Sequence, residues 1–118
     1  MQPDLRDASY LWDIVDAART AIEATRELDY GDYERNAVLR LAAERCIEII
    51  GEAANRVSED FRRAHPDIPW QKIVSQRNVL AHEYRDVRHE KIWRVLREHL
   101  PTLVAQLEPL LPPPPVSG

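Results

Sequence analysis

Apolar positions recur with a helical period along most of the chain. Leu11, Ile14, Val15, Ala18 and Ile22 stand at i, i+3, i+4, i+7 and i+11, which predicts a helix over 5–27 with one apolar stripe. Asp29-Tyr30-Gly31-Asp32 reads as a turn, with Asp32 placed to cap the next helix. A longer helix is predicted over 33–57, where Val38, Leu41, Ala42, Cys46, Ile49, Ile50, Ala53 and Val57 form a wide apolar face. Ser58-Glu59-Asp60-Phe61 has the pattern of a cap and a short helical turn. His65-Pro66-Asp67-Ile68-Pro69-Trp70 then interrupts the pattern, because each proline biases its predecessor away from helix. Pro69 suits the first turn of a further helix over 69–83, and Arg85-Asp86-Val87 reads as a turn. The last long helix is predicted from Arg88, with Ile92, Val95, Leu96, His99, Leu103 and Leu107 in one stripe and a kink or restart at Pro101. Four consecutive prolines, Pro112 to Pro115, predict an extended, flexible tail over 111–118.

Amphipathic helices joined by short links predict an all-α, up-and-down bundle of four to five helices, one domain over 1–110. The wide apolar faces leave surface to cover, which points to a homodimer. At about 100° per residue, Arg45 and Glu52 fall within roughly 20° and 40° of Val38, inside the apolar face of their helix. A charge there is costly unless paired. Either both side chains sit at the rim and reach solvent, or Glu52 meets an arginine of another helix at a working site.

Composition narrows the class without naming a function. The chain has 118 residues, three glycines and one cysteine, Cys46, so no internal disulfide can form. No apolar run approaches the roughly 20 residues of a membrane span, and the start lacks the apolar core of a signal peptide, so a cytoplasmic protein is expected. The net charge of −4 conceals a split. Residues 1–60 carry 7 Lys+Arg against 14 Asp+Glu, whereas 61–99 carry 9 against 5. A basic second half hints at an anionic partner, although Arg88, Lys91, Arg94 and Arg97 also fit the solvated side of one helix.

The four histidines, His65, His82, His89 and His99, show no zinc-ligand spacing, no Glu-x-x-His pair marks a di-iron site, and no glycine-rich phosphate loop occurs. No metal or cofactor is therefore called for. There remains the stretch Arg77-Asn78-Val79-Leu80-Ala81-His82-Glu83-Tyr84. Asn78 and His82 are four apart and neighbours on one helix face, while Arg77 and Tyr84, seven apart, share another. Arg77 and His82 diverge by about 140° on an ideal helix. Either the helix loosens near His82, or two copies of the motif face each other across a dimer axis. The residue types suit cleavage of an RNA phosphodiester. Histidine moves protons near neutrality, an arginine fork holds phosphate and its developing charge, asparagine orients the imidazole or a ribose hydroxyl, and tyrosine stacks or donates. By spacing alone, a lone histidine near a helix end is more often a structural cap.

Arg77, four residues, His82, one residue and Tyr84 resemble the R-x-x-x-x-H-x-Y signature of the HEPN superfamily. The neighbourhood is closer to its HepT branch. Ile49-Ile50-Gly51-Glu52-Ala53-Ala54, His65-Pro66-Asp67-Ile68-Pro69-Trp70, Arg77 to Tyr84, and Ile92-Trp93 follow in order, and the likeness runs over residues 4–108. The resemblance implies a HEPN-like helical homodimer with the two motifs lining an interface cleft. It further implies the metal-independent endoribonuclease toxin of a toxin–antitoxin pair, with RNA as substrate and a small MntA-type nucleotidyltransferase antitoxin as partner. That partner is expected to transfer AMP from ATP to Tyr84. Carried over residue by residue, Arg77 and His82 are catalytic and Asn78 supports them. Tyr84 is site residue and modification target, and Glu52 is an interior partner for the motif. The competing expectations are a non-catalytic subunit that holds substrate or partner for a nucleotidyltransferase, and a dimeric scaffold in which Arg77 and Glu52 form a buried pair.

Overall fold

The structure, a computed structural model, describes residues 3–82 and 85–113; of Arg77, His82, Arg85 and Asp86 it describes the backbone alone. Its described elements are α1 (Leu5–Thr25), α2 (Tyr30–Arg35), α3 (Ala37–Arg56), α4 (Glu59–Ala64), α5 (Trp70–His82), α6 (Arg85–Arg94), a π turn (Val95–His99), α7 (Leu100–Leu107) and a 3-10 turn (Glu108–Leu110). Among the described residues there is no strand, and no helix is long and apolar enough to cross a membrane.

Local chemistry starts the helices. Asp4 accepts from the Asp7 amide at α1, Asn36 from the Leu39 amide at α3, and Ser58 from the Phe61 amide at α4. The predicted turn at 29–32 is instead the opening of α2. Asp29 and Asp32 form a reciprocal capping box, each accepting from the other's amide. The single helix predicted over 33–57 is broken at Asn36, whose extended ψ of 96° ends α2 and whose side chain restarts the chain as α3. Arg85-Asp86-Val87 likewise belongs to α6 rather than to a turn.

α1 and α3 form the central pair, α5 lies on α3, α6 packs against α2, α3 and α5, and the π turn with α7 returns along α1. Leu11, Ile14, Val15 and Ala18 are buried as predicted, against Ile47, Ile50, Ala53 and Ala54 of α3 and Ile92, Leu96, Leu103 and Leu107 of the last rod. Small residues set the spacing. A Cβ on Gly51 would lie 3.5 Å from the Ile73 carbonyl oxygen and 3.6 Å from that of Val74, so α5 rests against the α3 backbone there.

The inward side of α3 is only partly the one predicted: Ile50, Ala53 and Val57 are buried, and Cys46 and Ile49 are half-buried against the core. Ala43, Ile47, Ile50, Gly51, Ala53, Ala54 and Val57 are buried, whereas Val38 is 78% and Leu41 67% exposed. Arg45 and Glu52 do share the Val38 side of the helix, but that side is solvent-facing. They stand 60% and 58% exposed and 4.0 Å apart. The interior placement expected for Glu52 is therefore corrected. The reason is packing: α3 has two apolar-rich sides, and the one with small residues at 43, 51, 53 and 54 lets α1 and α5 approach.

Three long-range polar contacts pin the ends of the bundle. Asp7, 4% exposed, accepts from the Ser58 amide at 2.8 Å and its hydroxyl at 2.6 Å, tying the start of α1 to α4. Arg97 stacks over Trp93 with its guanidinium carbon 4.4 Å from the ring centre and donates to the Arg26 and Leu28 carbonyls beyond α1. The Trp12 indole donates to the Pro112 carbonyl at 3.1 Å, holding the beginning of the proline segment against α1.

Candidate active site

The motif stands on the last two turns of α5 and the link to α6. The start of that helix is held hard. Phe61, Ile68 and Trp70 are buried together, and the Trp70 indole donates to the His65 carbonyl at 3.0 Å. The His65 ring lies against Phe61 with centroids 4.5 Å apart, and Gln106 of α7 donates to the Asp67 carbonyl at 3.1 Å. The segment His65 to Trp70 is thus a buckle that seats α5 on the core. Its two prolines keep it non-helical, so that Trp70 can turn inward at the first helical position. Ile73 continues the buried side, and Gly51 lets the two backbones close.

From there the helix runs without interruption. α5 is α-helical through His82, so the backbone does not loosen ahead of that residue. On this backbone Arg77 and His82 start about 140° apart around the axis. Asn78 is exposed on the solvent side. The side chains of Arg77 and His82, and Tyr84 altogether, lie outside the described residues. Among the described residues the ionic neighbour of Glu52 is Arg45.

Two residues outside the motif gather at its end. Arg88, on the first turns of α6, donates from Nη1 to the Leu80 carbonyl at 3.4 Å, across the last turn of α5. Tyr33 of α2 is wholly buried. Its ring packs against Trp93 at 5.3 Å between centroids and edge-on to His89 at 6.5 Å. Burial pushes the Tyr33 phenol pKa well above its ordinary value, with the Glu44 carboxylate acting the same way and Arg40 and Arg88 opposing. That phenol oxygen and the Arg88 Nε have no hydrogen-bond partner among the described residues. The set Arg40, Glu44, Tyr33 and Arg88 shows that the beginning of α3 and the beginning of α6 meet beside the end of α5. Sequence reasoning missed Tyr33 and named Arg88 only as one of the basic residues of its helix. Nothing in their spacing links a short capped helix to a motif so far along the chain; only the packing of α2 on α6 does so.

Val38, Leu41 and Val87 are large apolar side chains left exposed, Val87 by 43%.

A family model described as "Ribonuclease HepT-like" matches residues 14–110. The chain belongs to the HepT-like ribonuclease family. Among its relatives is "Putative RNase MJ1380" of Methanocaldococcus jannaschii, 35% identical over 100 residues, which covers 85% of this chain and 92% of the relative. Another is "Probable ribonuclease HepT" of Thermococcus cleftensis, 37% identical over 101 residues, covering 86% of this chain and 92% of the relative. No solved structure matches. The matched span contains all of α3, the His65–Trp70 buckle, α5 and α6. The HepT-like resemblance read from the motif blocks is thereby established, as is the all-helical fold it implied.

Proposed function

We propose that this HepT-like protein is an endoribonuclease and the toxin of a toxin–antitoxin pair, working as a homodimer whose two motif helices build one composite site. The observation that carries this reading is the Arg77–His82–Tyr84 motif, held at the end of a helix that stays α-helical through His82. One chain starts its arginine and its histidine on different sides of that helix. A twofold axis passing beside it brings the histidine of one copy toward the arginine of the other. In this scheme His82 moves the proton of the attacking 2′-hydroxyl or of the leaving oxygen. Arg77 holds the scissile phosphate, and Asn78 orients the imidazole or a ribose hydroxyl. No step requires a metal ion.

Tyr84 is the switch of the proposal. AMP placed on it by a nucleotidyltransferase antitoxin of the MntA type adds a nucleotide and a negative charge to the cleft, which blocks RNA and repels its phosphates. The test has two parts. His82→Ala is expected to abolish RNA cleavage, measured with chelator present, and to relieve growth arrest; cleavage at the wild-type rate removes His82 from the mechanism. Intact mass after co-expression with the neighbouring nucleotidyltransferase should rise by whole AMP units in the wild type and stay unchanged in Tyr84→Phe. Should the purified wild-type protein bind the nucleotidyltransferase yet cleave no RNA, the chain is instead its non-catalytic subunit.

A further inference from the structure

A cavity of about 160 Å³ lies between α3, α5, the π turn and α7. Its walls are the side chains of Ile50, Ile73, Val95 and Leu103, and it opens to solvent beside Lys72, Gln76 and His99. We propose that this cavity binds a small molecule with an apolar body and a single anionic head group. The inference does not depend on the ribonuclease reading.

Size and chemistry select the ligand class. An apolar cavity near 150 Å³ holds a benzene-sized group, so a six-membered ring or a short branched chain fills this one. Its apolar walls offer such a body dispersion contacts. Its polar lining residues are Lys72, Gln76, His99, Thr102 and Gln106. Lys72 is exposed, makes no ion pair among the described residues, and no aspartate or glutamate lines the cavity. A ligand with a carboxylate therefore finds one cation and no anion at the opening, with the Gln76 amide and the His99 imidazole available as donors.

The backbone keeps the space from collapsing. Pro101 has no amide, and the Leu100 amide donates to the Val95 carbonyl five residues back, which makes Val95–His99 a π turn. Both ends of that turn, Val95 and His99, line the cavity. Ile73 and Gln76 line it from α5, and Gln76 immediately precedes Arg77. Occupancy would therefore stiffen the helix that carries the motif.

The test titrates the full chain with benzoate, followed by isothermal calorimetry and by amide chemical shifts. Toluene probes the apolar body alone and acetate the head group alone. Benzoate is expected to bind saturably, with shifts at Ile73, Gln76, Val95 and Leu103, and acetate not to bind. Leu103→Phe or the milder Val95→Leu, each checked for folding by circular dichroism, should abolish binding by filling the space. Lys72→Gln should weaken benzoate about two- to fivefold, as expected for a partly exposed ion pair, and leave toluene unchanged. Absence of saturable benzoate binding overturns the proposal, as does binding that survives both filling variants. Equal affinity for benzoate in Lys72→Gln and wild type overturns the anionic part.

Discussion

Leu41→Glu tests the proposed assembly most directly. Leu41 is 67% exposed on the side of α3 that faces away from the bundle core, one turn from Val38, itself 78% exposed. Full burial of a leucine side chain is worth about 1.5–3 kcal/mol, so covering the exposed two-thirds contributes roughly 1–2 kcal/mol. Across a twofold axis the contact occurs in both copies, which makes the loss about 2–4 kcal/mol for the dimer. That corresponds to roughly a thirty- to thousandfold weaker association. The value is a lower bound, because the introduced carboxylate must also be desolvated if the interface is to form. In the isolated protomer position 41 remains in solvent, so the stability of the fold should change by no more than about 0.5 kcal/mol. Sedimentation velocity over a dilution series measures the association, a urea melt below the dissociation limit measures the fold, and RNA cleavage per chain measures the site. An unchanged dimer constant would show that the Val38–Leu41 strip is not the interface. A monomeric variant that still cleaves RNA at the wild-type rate would refute the composite site.

Other perturbations probe how the motif helix is held. Gly51→Ala should be tolerated or stabilise α3 by about 0.5–1 kcal/mol, since its Cβ meets the α5 carbonyls at ordinary contact distance. Gly51→Leu should instead cost about 1–3 kcal/mol by pushing α5 away, as a paired chemical-denaturation series would show. Asp7→Ala should destabilise by about 1.5–3 kcal/mol, because the Ser58 amide and hydroxyl lose a buried, charged acceptor; a urea midpoint equal to wild type would mean that water replaces it. The Asp13 carboxyl is raised above its ordinary value by partial burial and, secondarily, by the Asp16 charge. A raised carboxyl binds its proton more tightly in the folded state, so its ionised form disfavours folding above its folded pKa and this effect disappears as pH falls through that value. Asp13→Asn should therefore raise the melting temperature slightly at pH 7 and have no effect at pH 3, a difference that scanning calorimetry resolves; a drop at pH 7 would reverse the sign.

Several elements could be read directly from the residues because they are decided within a turn or two of chain. The stripe from Leu11 to Ile22 forms α1, and Ser58 caps α4. The prolines at 66 and 69 end one helical region and allow α5 to begin at Trp70. The motif was equally visible as spacing, and the family match over 14–110 bears out that resemblance. The break at Asn36 was not visible, since the apolar period continues across it. It depends on an extended residue that bonds forward to Leu39 and on a capping box just upstream.

By itself, then, the sequence determined the helical class, most helix starts and the HepT-like family, because periodicity, capping and proline chemistry act locally. Only the tertiary structure decided which side of α3 is core. Two stripes compete there, and small residues at 43, 51 and 54 win by letting two neighbours approach. That same choice exposes Val38 and Leu41 and moves Glu52 to the surface. The packing of α2 on α6 likewise brings Tyr33 near Arg88, which bonds to the motif helix, a meeting of distant segments that no local pattern encodes.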